Sequence, residues 1–506
     1  MKILTGTEMK ALEERAFSEG TTAEALMDQA GSDIGHAVAR LAGGPGKCVV
    51  HFGKGHNGGD ALVAAAWLRD DGWEIELRPA FPRSEWSELT AKKYDEIKIE
   101  MPEPMSNALR MMKEARCQHG SAAPLVVLDG LLGIGAGGPL RGPIRDAARA
   151  INRLRETQPV RVFALDLPTG VDANTGEVDA DAVIADFTLT VGYAKAGLLS
   201  DAATRHVGRL AVVNLDDLTL DEEEYPGREM VATPETLRRL LPLRNFETHK
   251  GQCGRVGIVA GSRGFLGAAH LAADACLFSG AGLITVFVTE DIYPLVAPCM
   301  TSEVMVQPVK SYLEALDARL DVLAIGPGLG QSRASEVRQL LERAPQPMVV
   351  DADALNILAG SMHLLDRCAG PRLLTPHPGE MARLDPASTG RSRRETVEAF
   401  MARYPHTLLL KGARSLVGQR DHPLSYNTTG SPGMATGGMG DVLTGVCASL
   451  LGQGLAPYDA ARFGAWLCGH AAELSLEPLD AEESLTPNAL IDHLGAALYD
   501  LRSNCW

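Results

Sequence analysis

Asp441 closes a glycine-rich stretch running from Asn427 to Gly445, with glycine at 430, 433, 437, 438, 440 and 445. A helix interior would not tolerate that density, because each Gly costs about 1 kcal/mol relative to Ala. Beyond Asp441 the chain turns apolar at Val442, Leu443, Val446, Leu450 and Leu451. The pattern predicts a glycine loop running into a helix N-terminus. Unpaired N–H groups and the positive end of the helix dipole make such a place an anion site. A carboxylate there would repel a phosphate unless it has a task. The task that fits is to take a proton from a substrate hydroxyl while the N–H groups hold the charge that develops on a phosphoryl group. The alternative is that Asp441 only caps the helix.

Acids and amides also stand at predicted strand ends in the first half. Cys48–Phe52 is an apolar run suited to a buried parallel strand. Gly53-Lys54-Gly55-His56-Asn57-Gly58-Gly59-Asp60 follows, and then a helical run begins at Ala61. Strand, glycine turn and helix form a phosphate-binding βα unit, although the spacing is neither GxGxxG nor a P-loop. Pro124–Asp129 is a second strand, followed by the loop Gly130–Pro139, and Val162–Asp166 a third, followed by Leu167-Pro168-Thr169-Gly170. Open parallel sheets bind ligands at the carboxyl ends of their strands, which gathers Asn57, Asp129, Asp166 and Thr169 at one edge. Helix or turn capping is the bland alternative for these acids. In the second half, His377 lies between Pro376 and Pro378 after the strand Leu373-Leu374. Two prolines fix a non-helical backbone around it.

The elements that must position these residues repeat as strand, turn and helix. Residues 7–42 predict helices, with apolar residues at spacings of three and four, ended by Gly43-Gly44-Pro45-Gly46. In the second half, strands are expected at 256–260, 283–288, 322–325, 348–350, 373–374 and 407–410. The fold class is α/β, with two domains of repeated βα units, the C-terminal one doubly wound. Domains are expected at 1–217 and 227–506. Between them the acidic run Asp216-Asp217 and Asp221-Glu222-Glu223-Glu224, then Tyr225-Pro226-Gly227, reads as a solvated linker within 214–248. Thr233-Pro234 then predicts a helix start.

The 506 residues are too many for one ordinary core. A net charge of −16 argues against nucleic acid or an anionic membrane as partner. No run of about 18 apolar residues is present, and the segment after Met1 lacks a signal-peptide apolar core. Nine scattered cysteines, an odd number without a CxxC pair, suit a reducing cytoplasm.

The stretch Thr429–Asp441, with its Gly437-Gly438-Met439-Gly440-Asp441 end, resembles the closing motif of ribokinase-like kinases. It is more similar still to the signature of ADP/ATP-dependent NAD(P)H-hydrate dehydratases. Ser431 stands for a usual Asn and Met439 for a usual Ser. His249-Lys250-Gly251, Gly326–Gly330, Asp351-Ala352-Asp353-Ala354-Leu355-Asn356, Thr375–Glu380 and Lys411-Gly412 extend that resemblance over 227–506 and imply a ribokinase-like fold. By the resemblance, Ala268, Gly328, His377 and Asp441 contact the hydrated substrate. Lys411, Gly412, Ala413, Arg414, Ser415 and Gly440 hold the nucleotide, and Asp441 is the catalytic base. Arg414-Ser415 replace a usual Gly-Thr.

Over 1–217 the chain resembles NAD(P)H-hydrate epimerases, which implies an N-terminal Rossmann-like three-layer α/β domain. The matching elements are His56–Asp60, Asp129-x-x-x-Gly133-x-Gly135, Asp166–Asp172, Ala185-Asp186-x-Thr188-x-Thr190 and Lys195-x-Gly197. The resemblance implies substrate contacts at His56, Asn57, Gly58, Gly59, Asp60, Gly133, Ile134, Gly135, Ala136, Gly137, Gly138 and Pro139. It implies that Asp166 is catalytic and that Asn57, Asp129 and Thr169 bind K⁺, whose hardness suits oxygen ligands. His56, Ala61 and Thr169 depart from a usual Asn, Gly and Ser.

Together the resemblances imply a bifunctional enzyme that epimerises hydrated NADH and NADPH and dehydrates the S form. ADP is the implied co-substrate, Mg²⁺ accompanies it, and the protein is expected to be a cytoplasmic homo-oligomer. The runner-up is a ribokinase-like kinase of a small alcohol with an accessory first domain. A third reading is a non-catalytic nucleotide sensor, which would not need Asp129, Asp166 and Asp441.

Overall fold

The computed structural model describes residues 1–99, 123–220, 227–476 and 481–503. The chain divides into two compact units: one is Lys2–Gly227, and the other is Arg228–Trp506 together with Met1. Residues 221–226 of the expected linker lie outside the described residues.

Among the described residues, the first unit's main sheet has six parallel strands. Their order is Glu74–Pro79, Lys47–Phe52, Leu125–Gly130, Val160–Leu165, Phe187–Val191 and Arg209–Val213. Neighbouring residues point to opposite faces of a strand, and both faces here are apolar. Val50, Val126 and Leu128 pack on one side with Ile34 and Leu62. Val49, Val127 and Val162 pack on the other with Ile144 and Ile151. That double burial requires helices on both faces, the three-layer arrangement. The expected N-terminal helical region forms two helices, Gly6–Ser18 and Ala23–Ala42. Between them Gly20 adopts φ +110°, and Thr22 restarts the second helix by accepting from Ala25 N–H.

Among the described residues, the sheet of the second unit has ten strands. Met305–Val309, Leu283–Thr289, Arg255–Val259, Val322–Ile325, Met348–Val350, Arg372–Leu374 and Thr407–Leu410 run parallel in that order. Leu416–Gly418 and Leu424–Tyr426 then run antiparallel, and Glu229–Val231 pairs parallel with the last of them. This corrects the linker expectation at residues 229–231, which are a sheet strand, whereas the helix expected from Thr233-Pro234 is present as Pro234–Arg238. A strand of three residues is too short to carry a period in the sequence. One apolar cluster joins the strands to the helices Leu266–Phe278, Met439–Gly452 and Pro457–Leu474 through Val256, Val286, Val442 and Phe463.

In each sheet the chain reverses its direction of winding once. The reversal falls between Lys47–Phe52 and Leu125–Gly130 in the first unit, and between Arg255–Val259 and Val322–Ile325 in the second. The carboxyl ends of the two strands at such a switch point diverge and leave a crevice. Among the described residues, no helix is long and apolar enough to cross a membrane.

Candidate active sites

In the first unit the switch point is lined by Asn57, Asp129 and the loop after it. His56, Asn57, Gly58, Gly59 and Asp60 form the first turn of the helix His56–Asp70. Gly58 and Gly59 are needed for close packing. A Cβ on Gly58 would lie 2.3 Å from the Gly53 carbonyl oxygen, and one on Gly59 would lie 2.4 Å from the Met27 sulfur. Asn57 Nδ2 donates to the Leu132 carbonyl at 2.7 Å, while its buried Oδ1 accepts no hydrogen bond. Asp129 is fully buried. It accepts from Thr169 N–H at 2.8 Å, Thr169 Oγ1 at 2.7 Å and Leu131 N–H at 3.3 Å. Burial pushes its carboxyl up to about 6, against those three hydrogen bonds. A buried acid, a buried hydroxyl and an orphaned amide oxygen are an all-oxygen donor set, and a hard monovalent cation such as K⁺ fits it.

Gly133 connects this set to Asp166. A Cβ there would lie 3.4 Å from Asn57 Cβ and 3.6 Å from Asp166 Oδ2. From Ile134 onward the loop opens outward. Gly135, Gly137 and Gly138 have nothing within 4 Å of an added Cβ, Ala136 N–H donates to the Gly133 carbonyl, and Pro139 is exposed.

Asp166 lies one residue past its strand, at φ +65°. A non-glycine residue in that region carries strain that the surroundings must maintain. They do so through Lys195, whose buried ammonium pairs with Asp166 Oδ1 at 2.5 Å. Asp60 shares the pocket: burial, then the charges of Asp166 and Glu13, raise its carboxyl well above the usual range. Lys195 is visible in the sequence only as part of a motif, without a role.

The second unit gathers its residues at the ends of several strands. Gly261 N–H donates to the Pro327 carbonyl and Ser262 Oγ to the Gly328 carbonyl, which stitches the switch point together. Ala268 and Gly328 meet there: a Cβ on Gly328, at φ +56°, would lie 2.9 Å from Ala268 Cβ. Phe265 is beside both, and 64 % of it is exposed. Nothing in the sequence pattern singles it out, because a Phe before an Ala-rich helix reads as core.

Asp441 stands in the first turn of the helix Met439–Gly452, beyond Gly438 at φ +97°. Burial pushes its carboxyl up to about 7, and the charges of Asp351 and Asp353 add to the rise while Lys411 opposes it. Asp351 is buried, with Oδ1 on Lys411 Nζ at 2.7 Å and Oδ2 on Thr444 Oγ1 at 2.9 Å. Burial works against the Lys411 charge, but Asp351 and Glu380 outweigh it and the ammonium is held above its usual pKa. Gly440 admits this group closely, since a Cβ would lie 3.3 Å from Lys411 Nζ.

His377 is the N-cap of the helix Pro378–Leu384 and accepts from Gly379 N–H. Its exposed ring lies 3.6 Å from Glu380, and Glu380 is 3.9 Å from Lys411. Gly412 and Ala413 are exposed at the turn after Thr407–Leu410. Ser415 Oγ donates to the Gly412 carbonyl at 3.4 Å. Arg414 is 3 % exposed, and Arg393 donates to its carbonyl while lying over Gly412. Asp351, Thr444 and Glu380 are residues to which the sequence alone assigns no role. An acid directly after the strand Met348–Val350 is the same signal that marks Asp129 and Asp166.

Two α/β units, each with carboxylates and glycine turns at the carboxyl ends of parallel strands, define a two-site α/β enzyme. Residues 256–494 match the family model described as NAD(P)H-hydrate dehydratase, and 23–197 match the one described as YjeF-related protein N-terminus. The chain is 36% identical to the bifunctional NAD(P)H-hydrate repair enzyme Nnr of Moorella thermoacetica, covering 99% of this chain and 97% of that protein. It is 33% identical to the Escherichia coli enzyme of that name, over 84% of this chain and 80% of the relative. It is also similar to a Bacillus subtilis ADP/ATP-dependent NAD(P)H-hydrate dehydratase co-crystallised with ATP and Mg²⁺. That match has 30% identity and a TM-score of 0.48, and covers 54% of this chain and 99% of the other. The chain belongs to the family of bifunctional NAD(P)H-hydrate repair enzymes.

Proposed function

We propose that the first unit interconverts the R and S epimers of hydrated NADH and NADPH, and that the second dehydrates the S form at the expense of ADP. The observation that carries the reading is Asp441: an acid at a helix N-terminus, pushed up to about 7, in a family of hydrate repair enzymes. A base poised near neutrality is matched to its task.

In the second unit, Asp441 takes the proton of the ring hydroxyl. The hydroxyl oxygen attacks the terminal phosphorus, and the bond to AMP breaks. The N–H groups at 439–441 receive the charge of the transferred group. Phosphate then leaves with the ring C–O electrons, and a proton leaves the neighbouring carbon, which restores the double bond of NADH or NADPH. Exposed Phe265, beside Ala268 and Gly328, offers an apolar face for the ring. The turn at Gly412-Ala413-Arg414-Ser415, exposed at Gly412 and Ala413, is the nucleotide side together with Lys411 and Gly440. Mg²⁺ would supply charge neutralisation on the phosphates.

In the first unit, epimerisation breaks and remakes the bond between the ring carbon and its hydroxyl. Asp60, whose carboxyl is raised well above the usual range by burial and by the charges of Asp166 and Glu13, gives the departing hydroxyl its proton. The Asp166 carboxylate stabilises the cationic ring, and water adds to the other face while Asp60 recovers its proton. K⁺ held by Asn57, Asp129 and Thr169 would supply a fixed positive charge that shapes the Gly133 loop.

The test is recovery of NADPH absorbance from a mixture of both hydrate epimers with ADP, Mg²⁺ and K⁺. Full recovery by the wild type is expected, with recovery of the S form alone by Asp166→Ala and none by Asp441→Ala. Recovery with neither ADP nor ATP, together with phosphorylation of another alcohol, would replace this reading with a kinase.

A further inference from the structure

Lys195 is an almost completely buried cation in the first unit's pocket, at 1 % exposure. An ammonium has three N–H donors, and all three are committed. They go to Asp166 Oδ1 at 2.5 Å, Thr190 Oγ1 at 3.1 Å and the Val191 carbonyl at 2.6 Å. No proton is left to offer a substrate, so Lys195 is not itself an acid in the reaction. Burying a charge is costly unless it is paired, and a Leu or Met would fill the same volume at lower cost. Its position is nonetheless strongly fixed. Ala194–Lys195 pairs with Ile3–Leu4 in a separate two-stranded sheet.

The geometry around Asp166 explains the arrangement. Its backbone is held in the left-handed region by the Asp166 N–H bond to the Leu189 carbonyl at 2.8 Å. Its Oδ1 also receives Val191 N–H at 3.3 Å and Thr190 Oγ1 at 3.4 Å. Every one of these donors falls on Oδ1. The other oxygen, Oδ2, lies on the side of Gly133, the loop residue that also touches Asn57. Two further carboxylates, Asp60 and Glu13, share the field of Asp166, and the Lys195 charge acts on both of them.

We propose that Lys195 is the positioning residue of the epimerase site: by committing Oδ1 of Asp166 it aims Oδ2 at the reacting ring. The proposal rests on the epimerase reading of this unit. Lys195 works through Asp166, and its charge opposes that of Asp166 on both Asp60 and Glu13. A displacement of about 1 Å at a reacting group can cost on the order of 100-fold in rate.

The experiment uses the full chain and the R epimer as substrate, with the spontaneous rate subtracted. Lys195→Met is expected to lower kcat for epimerisation about 100-fold while KM changes less than about threefold, and dehydration of the S epimer is unchanged. Unchanged kcat would overturn the proposal. Because the single change leaves a buried carboxylate unpaired, Asp166→Asn/Lys195→Met is compared with Asp166→Asn alone. Equal residual rates support action through Asp166, whereas a further fall beyond about threefold would mean that Lys195 serves the fold or the substrate independently. If the wild type itself does not epimerise the R form, the reading of the unit fails, and that result is separate from any Lys195 effect.

Discussion

Replacing Asp441 by Asn should abolish dehydration and at the same time make the second unit more stable above neutral pH. Asp441 has a usual pKa of 3.8, raised in the folded protein to about 7. Between those values the unfolded chain gives up its proton and the folded one keeps it. The unfolded state then binds fewer protons, so stability falls as pH rises through that interval and reaches a constant lower level above it. At about 1.4 kcal/mol per pH unit the full interval corresponds to roughly 4 kcal/mol. Relaxation and water entry reduce such a value, so about 2 kcal/mol is the expected gain for the Asn variant at about pH 8. At about pH 4 the gain should vanish. The assay is denaturant unfolding of both proteins at the two pH values, followed by tryptophan fluorescence, to which Trp466, buried in the second unit, contributes. Equal stability of the variant and wild type at both values would refute the reasoning, because Asp441 would then carry no desolvation cost. The same group sets the sign of the activity profile. As a base, Asp441 works when ionised, so kcat for dehydration should fall as pH drops below about 7.

Four further outcomes follow from the geometry. Gly440→Ala should lower dehydratase activity with little change in stability, because the new Cβ would lie 3.3 Å from Lys411 Nζ; kcat and thermal unfolding measured together separate the two effects. Gly326→Ala should destabilise the second unit by more than about 3 kcal/mol, since its Cβ would lie 1.8 Å from the Asp351 carbonyl oxygen at φ +126°; denaturant unfolding checks this. Phe265→Ala should raise KM for the hydrate several-fold and leave KM for ADP unchanged, as steady-state kinetics would record. K⁺ in excess over Li⁺ should raise the melting temperature of the first unit, and Asn57→Leu should remove that response, because an ion that binds only the folded state stabilises it.

The doubly wound layers were legible because parallel strands buried on both faces are continuous apolar runs, as at Cys48-Val49-Val50 and at Leu323–Ile325. The acids were legible because each stands at or just past such a run. What the sequence did not carry is pairing across distance. Asp351 meets Thr444 from 93 positions away and Lys411 from 60, and no local spacing encodes either contact. Lys195 reaches Asp166 across 29 positions for the same reason. The short strand Glu229–Val231 was hidden because three residues beside an acidic run have no measurable period. Phe265 was hidden because its exposure is a property of the crevice, not of its neighbours in the chain.

Asp441 and Thr444 sit three positions apart on one helix, and Thr444 is bonded to Asp351 at the end of a sheet strand. The proposed proton acceptor therefore takes its register from the sheet, while Gly430 N–H, earlier in the loop, is held by the Glu473 carboxylate. A lineage adapting this site to a different alcohol would find its freedom at Phe265 and the switch point, and almost none along the face that carries Asp441 and Thr444.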